Sequence, residues 1–174
     1  MLTGLLLVGG ASRRFGSPKA LARFRGETLA ERAWQLLGEA CDERIAVGKR
    51  ADGLPLPFPL LDDESPVRAP IAGLVAGLRA ASHDVCVVLP VDTPLVTAEA
   101  LQELAGACLD SAVPPTGPLP GAYRRSALSV LERRLAAGEL ALGSALEELA
   151  TAIVELDPEL LANVNSREDL EALI

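Results

Sequence analysis

Two stretches of this chain carry residues that can do chemistry together. In the first, the apolar run Leu5-Leu6-Leu7-Val8 empties into Gly9-Gly10, and Arg13, Arg14 and Lys19 follow within a few residues. Gly9 and Gly10 allow positive φ and close backbone approach, so successive N–H groups can turn toward phosphate oxygens while the side-chain cations add full charges. This is the composition of a polyphosphate cradle. It is not a P-loop, because Ser17 and Pro18 separate Gly16 from Lys19. Nor is it a dinucleotide fingerprint, because Gly16-Ser17-Pro18 interrupts any helix that would have to open there.

The second stretch is Val85-Cys86-Val87-Val88-Leu89-Pro90-Val91-Asp92-Thr93-Pro94, a β-prone run ending at a carboxylate. In open α/β sheets ligands bind outside the carboxyl ends of the strands, so Asp92 and the Gly9-Gly10 loop belong on one rim. Mg²⁺ uses one or two carboxylates and completes its shell with substrate phosphates and water, which makes Asp92 the expected metal ligand. His83, the single histidine, precedes this strand and reads as an exposed loop residue, so nothing points to histidine-based catalysis.

The elements that must position these groups follow from pattern and composition. Strands alternate with helical periodicity, the mark of βαβ units and a parallel sheet. The 174 residues suit one α/β domain spanning 1–174. Thr28 to Ala40 reads as an amphipathic helix with Thr28 as N-cap, Glu31 in the capping-box position and Trp34 in the core, followed by a strand at 44–47. Asp52 to Pro59 is a loop leading to Leu60-Leu61 and the acidic run Asp62-Asp63-Glu64. Pro70 opens a helix continuing through Ala81, in which Gly77 serves packing and Gly73 is left open between packing and ligand approach. Later come a helix over 97–108, a strand at 111–113, a turn-rich insertion at 114–118, and a helix after Arg124-Arg125 reaching Ala137. A further helix at 142–149 and a strand at 152–156 complete the pattern. Arg124 and Arg125 suit either an anionic acceptor or solvent.

A net charge of −8 and a pI near 4.7 argue against nucleic acid, which needs a broad basic surface. Mean hydropathy is +0.29, yet no apolar run approaches the ~20 residues of a membrane span. No basic segment precedes Leu5, so a secretion signal is not expected and the cytoplasm is. Cys41, Cys86 and Cys108 are odd in number and widely spaced, consistent with neither disulfides nor zinc. Lys19 and Lys49 are the only lysines; Lys49 reads as a solvated charge on a surface loop.

The first stretch resembles the nucleotidyltransferase signature: Leu7-Val8-Gly9-Gly10, Arg14, Gly16 and Lys19 match it, and Gly26-Glu27-Thr28-Leu29 resembles the turn and helix start that follow. Asn163-Val164-Asn165-Ser166-Arg167-Glu168-Asp169-Leu170 is similar to the ending of the molybdenum cofactor guanylyltransferases, the MobA family. The resemblance implies a single Rossmann-like nucleotidyltransferase domain, mainly parallel with helices on both faces, that moves GMP from GTP to molybdopterin cofactor with Mg²⁺. It further implies that Leu7, Val8, Gly9 and Gly10 approach the base and ribose, that Arg14 and Lys19 bind phosphates, and that Asp63 (or Asp62) lies by the nucleotide. Asp92 would hold the metal, and Asn163 and Asn165 would place the pterin; transient contact with proteins that deliver or accept the cofactor would also be expected. Many relatives have Asp where this chain has Pro18, and Asn where it has Gly48-Lys49, so base selectivity stays open. CTP on molybdopterin, an NTP on a sugar phosphate, and a nucleotide-binding module without turnover remain as alternatives.

Overall fold

A computed structural model describes residues 1–9 and 16–174. Seven strands form one sheet: β1 (Leu2–Leu7), β4 (Glu43–Gly48), β5 (Leu60–Asp62), β6 (Val85–Pro90), β7 (Ser111–Val113), β8 (Gly121–Arg124) and β9 (Thr151–Ile153). Their order is β5-β4-β1-β6-β8-β7-β9. Only β8 runs against the rest: it is antiparallel to β6 and β7, while β5, β4, β1 and β6 are mutually parallel and β9 is parallel to β7. A two-stranded hairpin, β2 (Arg23–Phe24) with β3 (Glu27–Thr28), precedes α1 (Leu29–Ala40). The other helices are α2 (Pro70–Ala80), α3 (Ala98–Ala107), α4 (Leu128–Ala136), the short α5 (Leu142–Ala145) and α6 (Arg167–Ala172).

The central strands are apolar on both faces because helices cover both. Leu6 and Val8 of the β1 run, with Val87 and Leu89 of β6, join one buried cluster with residues of α1 and α3; Leu5, Leu7, Cys86 and Val88 join a second with residues of α2 and α4. This is the period of two in which successive side chains leave opposite faces of a strand. Each fully buried Leu contributes about 1.5–3 kcal/mol relative to exposure, so the paired clusters fix register as well as stability. Gly77 serves packing, as its position suggested: a Cβ there would lie 2.6 Å from Leu5 Cδ1, so α2 can sit this close to β1 only without a side chain.

Local signals account for most helix starts. Thr28 accepts from the Glu31 amide while the Glu31 carboxylate accepts from the Thr28 amide, the capping box expected for α1. Ser166 and Asp169 form a second box at α6, with Ser166 as its N-cap. Trp34 packs at the edge of the core, stacked on Phe58 with centroids 4.4 Å apart.

Three readings need correction. Residues 121–124 form strand β8 instead of merely leading into a helix, because insertion beside β6 pairs their backbone and buries Tyr123. The helix expected over 142–149 is α5 followed by a 3-10 turn at 146–148, and the last strand starts at Thr151 and ends at Ile153. Among the described residues, no helix is long and apolar enough to cross a membrane.

Candidate nucleotide and metal site

The four parallel strands β5, β4, β1 and β6 deliver a row of side chains to their carboxyl ends. Asp63 follows β5, Lys49 follows β4, Gly9 lies just past β1 and Asp92 just past β6. At about 4.8 Å per strand the row from Asp63 to Asp92 spans roughly 14 Å. A cleft of about 360 Å³ opens along it, lined among others by Leu7, Val8, Gly9, Lys19, Asp92 and Asn163. Gly73 borders the cleft and packs on Leu7, where a Cβ would lie 3.0 Å from Cδ2, so the packing use applies. Gly10, Arg13 and Arg14 lie outside the described residues.

At one end of the row three predicted residues meet. Lys19 opens a 3-10 turn at Lys19–Leu21, and its Nζ donates to Asn165 Oδ1 at 3.3 Å and stands 3.9 Å from Asp92 Oδ2. The Val164 amide donates to the Asp92 carbonyl at 2.8 Å, which pins the C-terminal segment to the end of β6. The Asp169 carboxylate in turn accepts from the Asn165 and Ser166 amides, so the α6 cap also sets where Asn165 sits. Burial pushes the Asp92 carboxyl above its ordinary range, against the opposing pull of the Lys19 charge. A half-buried carboxylate beyond hydrogen-bonding distance of that ammonium is a place where a cation would be stabilised.

At the other end the acidic run divides by role. Asp62 caps backbone, accepting from the Arg50 amide at 2.8 Å and the Glu64 amide at 2.7 Å, and these bonds hold its carboxyl below the ordinary range. Asp63 lines the cleft, and its side chain is only 7% exposed. Lys49 overturns its reading as a solvated charge. Its side chain is 13% exposed, and Nζ donates to Asp63 Oδ1 at 2.8 Å, Asp63 Oδ2 at 3.0 Å and the Ser65 carbonyl at 2.6 Å. A carboxylate fourteen residues downstream, brought near by strand pairing, is invisible to local charge counting. Both lysines of the chain therefore line the cleft. Arg68, which no motif singles out, lines it too, paired bidentately with Asp52 at 2.7 and 3.2 Å.

The remaining polar candidates are structural. Arg124 holds Asp84 at 2.7 Å and the Leu109 and Cys108 carbonyls, and Arg125 donates to the Ala81 carbonyl, so neither faces an acceptor. His83 is not an exposed loop side chain: it is 16% exposed, 3.0 Å from Thr3 Oγ1, at the opposite end of the sheet from Gly9. All three cysteines are free, and burial raises Cys86 to about 12 and Cys108 to about 11. Among the described residues no group of three His, Cys, Asp or Glu side chains could enclose a metal unaided.

Comparison with known proteins agrees with this geometry. The family model described as the MobA-like NTP transferase domain matches residues 4–153. The chain is 36% identical to the "Probable molybdenum cofactor guanylyltransferase" of Chloroflexus aggregans over 98% of its own length and 92% of that protein. It is 29% identical to the molybdenum cofactor guanylyltransferase of Desulfosudis oleivorans over 98% of its length and 93% of that protein. The crystal structure of molybdopterin-guanine dinucleotide biosynthesis protein A from Archaeoglobus fulgidus superposes with a TM-score of 0.83 at 26% identity, covering 98% of this chain and 95% of that one. A parallel sheet with its charged row at the strand ends, matched over nearly its whole length by such relatives, places the chain in the MobA-like NTP transferase family.

Proposed function

We propose that this chain is a molybdenum cofactor guanylyltransferase, which transfers GMP from GTP to molybdopterin cofactor and releases pyrophosphate. The observation that carries the reading is the meeting of Lys19, Asp92 and Asn165 at one end of a cleft long enough for a nucleotide. An oxygen of the acceptor's phosphate attacks the α-phosphorus of GTP. As that P–O bond forms, the bond to the oxygen bridging the α- and β-phosphates breaks, and its electron pair leaves on pyrophosphate. The attacking oxygen is already ionised at neutral pH, so no side-chain base is required, and positioning with charge neutralisation supplies the catalysis.

In this reading Leu7, Val8, Gly9 and Gly10 approach the base and ribose, and Lys19 and Arg14 hold phosphate oxygens. Asp63 lies by the nucleoside end, while Asn163 and Asn165 orient the pterin. The desolvated carboxylate of Asp92 fits an ion that completes its shell from phosphates and water, since among the described residues no group of three His, Cys, Asp or Glu side chains could enclose one. Mg²⁺ held by Asp92 would offset the negative charge of the triphosphate. Lys19, close to both Asp92 and Asn165, stands between the two substrates and keeps their phosphates in register. The net charge of −8 suits a small-molecule enzyme of the cytoplasm. Purified protein given GTP, Mg²⁺ and molybdopterin cofactor should release pyrophosphate and form the guanine dinucleotide. Nucleotide binding without pyrophosphate release would overturn the proposal, and faster turnover with CTP than with GTP would reassign the base.

A further inference from the structure

Lys49 takes no part in the reaction just described, yet it is one of two lysines in the chain and is nearly buried in the cleft wall. We infer that Lys49, paired with Asp63, reads the edge of the nucleobase and selects a 6-keto purine. The inference rests on the nucleotidyl-transfer reading of the cleft and adds to it the residue that would choose the base. Lys49 and Asp63 stand at the ends of β4 and β5, at the far end of the row from Lys19 and Asp92, where a triphosphate held by Lys19 would put its nucleoside. Leu7, Val8 and Pro70 supply apolar wall in the same cleft, suited to the flat faces of a base.

The pair offers a cationic donor directly beside an anionic acceptor, 2.8 Å apart. An ammonium has three N–H donors. Two of its three contacts here fall on one carboxylate, so Lys49 can keep one Asp63 oxygen and the Ser65 carbonyl and turn its third N–H to a base carbonyl. Asp63 Oδ1 also accepts from the Ser65 amide at 3.0 Å, which fixes the carboxylate and leaves Oδ2 as the oxygen with capacity to accept from a base N–H. Guanine and hypoxanthine present O6 as acceptor beside N1–H as donor, the complement of this pair. Adenine, 2,6-diaminopurine and cytosine present an amino donor beside a bare ring nitrogen. That arrangement sets donor against Lys49 and acceptor against Asp63, in a site too buried for water to relieve either clash.

Equilibrium competition against a fluorescent GTP analogue, with Mg²⁺ and no acceptor, reads base choice without turnover. Wild-type protein should bind ITP with nearly the affinity of GTP. It should bind 2,6-diaminopurine riboside triphosphate, whose shape matches GTP but whose 6-position is an amino group, roughly tenfold to a hundredfold more weakly. Lys49→Met should lower that ratio several-fold, the remainder coming from Asp63, while leaving competition by inorganic triphosphate unchanged. Equal binding of the diaminopurine nucleotide and GTP by wild type would overturn the inference, as would a Lys49→Met protein that keeps the wild-type ratio. Should Lys49→Met fail to fold, the analogue comparison in wild type decides alone. Keto preference in binding with no transfer to acceptor would sink the proposed function and leave the base reading standing.

Discussion

Replacing each of the two lysines by methionine should separate a buried ion pair from a charge held ready for a ligand. Lys49 and Asp63 are 13% and 7% exposed and touch at 2.8 Å, so Lys49→Met strands a desolvated carboxylate. Breaking such a pair costs about 3–5 kcal/mol, and the lower end applies because the Ser65 amide still donates to Asp63. For a chain of this size each kcal/mol moves Tm by about 2–4 °C, which gives a fall of roughly 6–12 °C. Lys19 and Asp92 are 16% and 28% exposed and 3.9 Å apart, beyond hydrogen-bonding reach. Their mutual attraction falls in the range of about 0–1 kcal/mol, so Lys19→Met should lower Tm by less than about 4 °C. Activity should rank Lys19 among the residues it cannot lose: a charge-assisted bond to phosphate is worth about 1.5–3 kcal/mol, or roughly 10- to 150-fold in kcat/KM. The assays are thermal unfolding without nucleotide at 0.15 M salt and GTP-dependent pyrophosphate release. Equal Tm losses in the two variants, or undiminished turnover in Lys19→Met, would refute the reasoning.

Three further outcomes test the fold. Gly77→Ala adds a Cβ 2.6 Å from Leu5 Cδ1 in a fully buried contact, so overpacking of about 1–3 kcal/mol should outweigh the helix-propensity gain of about 1 kcal/mol and lower the denaturant midpoint; a raised midpoint would contradict the close packing of α2 on β1. Glu43 accepts from Thr3 Oγ1 and the Ser82 amide, which hold its carboxyl below the ordinary 4.5, so its contribution to stability is complete above pH 4.5 and lost as pH falls through the lower folded value. Glu43→Gln should therefore flatten the loss of stability below pH 4.5, and an unchanged acid profile would show that this carboxylate is not what the network protects. Burial lifts the Cys41, Cys86 and Cys108 thiols to about 12, about 12 and about 11, so the native protein should react slowly with thiol reagents at pH 7 and yield three thiols on unfolding; rapid labelling of the folded protein would contradict their burial.

The parts of the fold carried by local pattern are legible in the sequence. The continuous apolar runs of β1 and β6 could only be buried from both sides, and the Thr28–Glu31 box marks its own helix start. Strand β8 escaped because Gly121-Ala122-Tyr123-Arg124 is too short for a period of two to show, and its strand character comes from partners on either side. The same distinction holds at the site. Asp92 and Lys19 could be paired from sequence because each ends or follows a recognisable strand-and-loop unit. Lys49 looked solvated because the partner that buries it lies on another strand; only the β4–β5 pairing brings Asp63 within 2.8 Å. Asp62 and Asp63 are chemically identical in sequence and are told apart by which one the end of β5 turns toward the cleft.

The central claim, that the α-phosphorus of GTP is transferred to a phosphate acceptor, is tested most directly by following label from each end of the nucleotide in a single turnover with molybdopterin cofactor and Mg²⁺. Label at the α-phosphate should appear in the dinucleotide product and label at the γ-phosphate in pyrophosphate, with both signals lost in Asp92→Asn protein that retains the wild-type Tm within a few degrees. Release of γ-label as inorganic phosphate, or of α-label as free GMP with no dinucleotide, would contradict it.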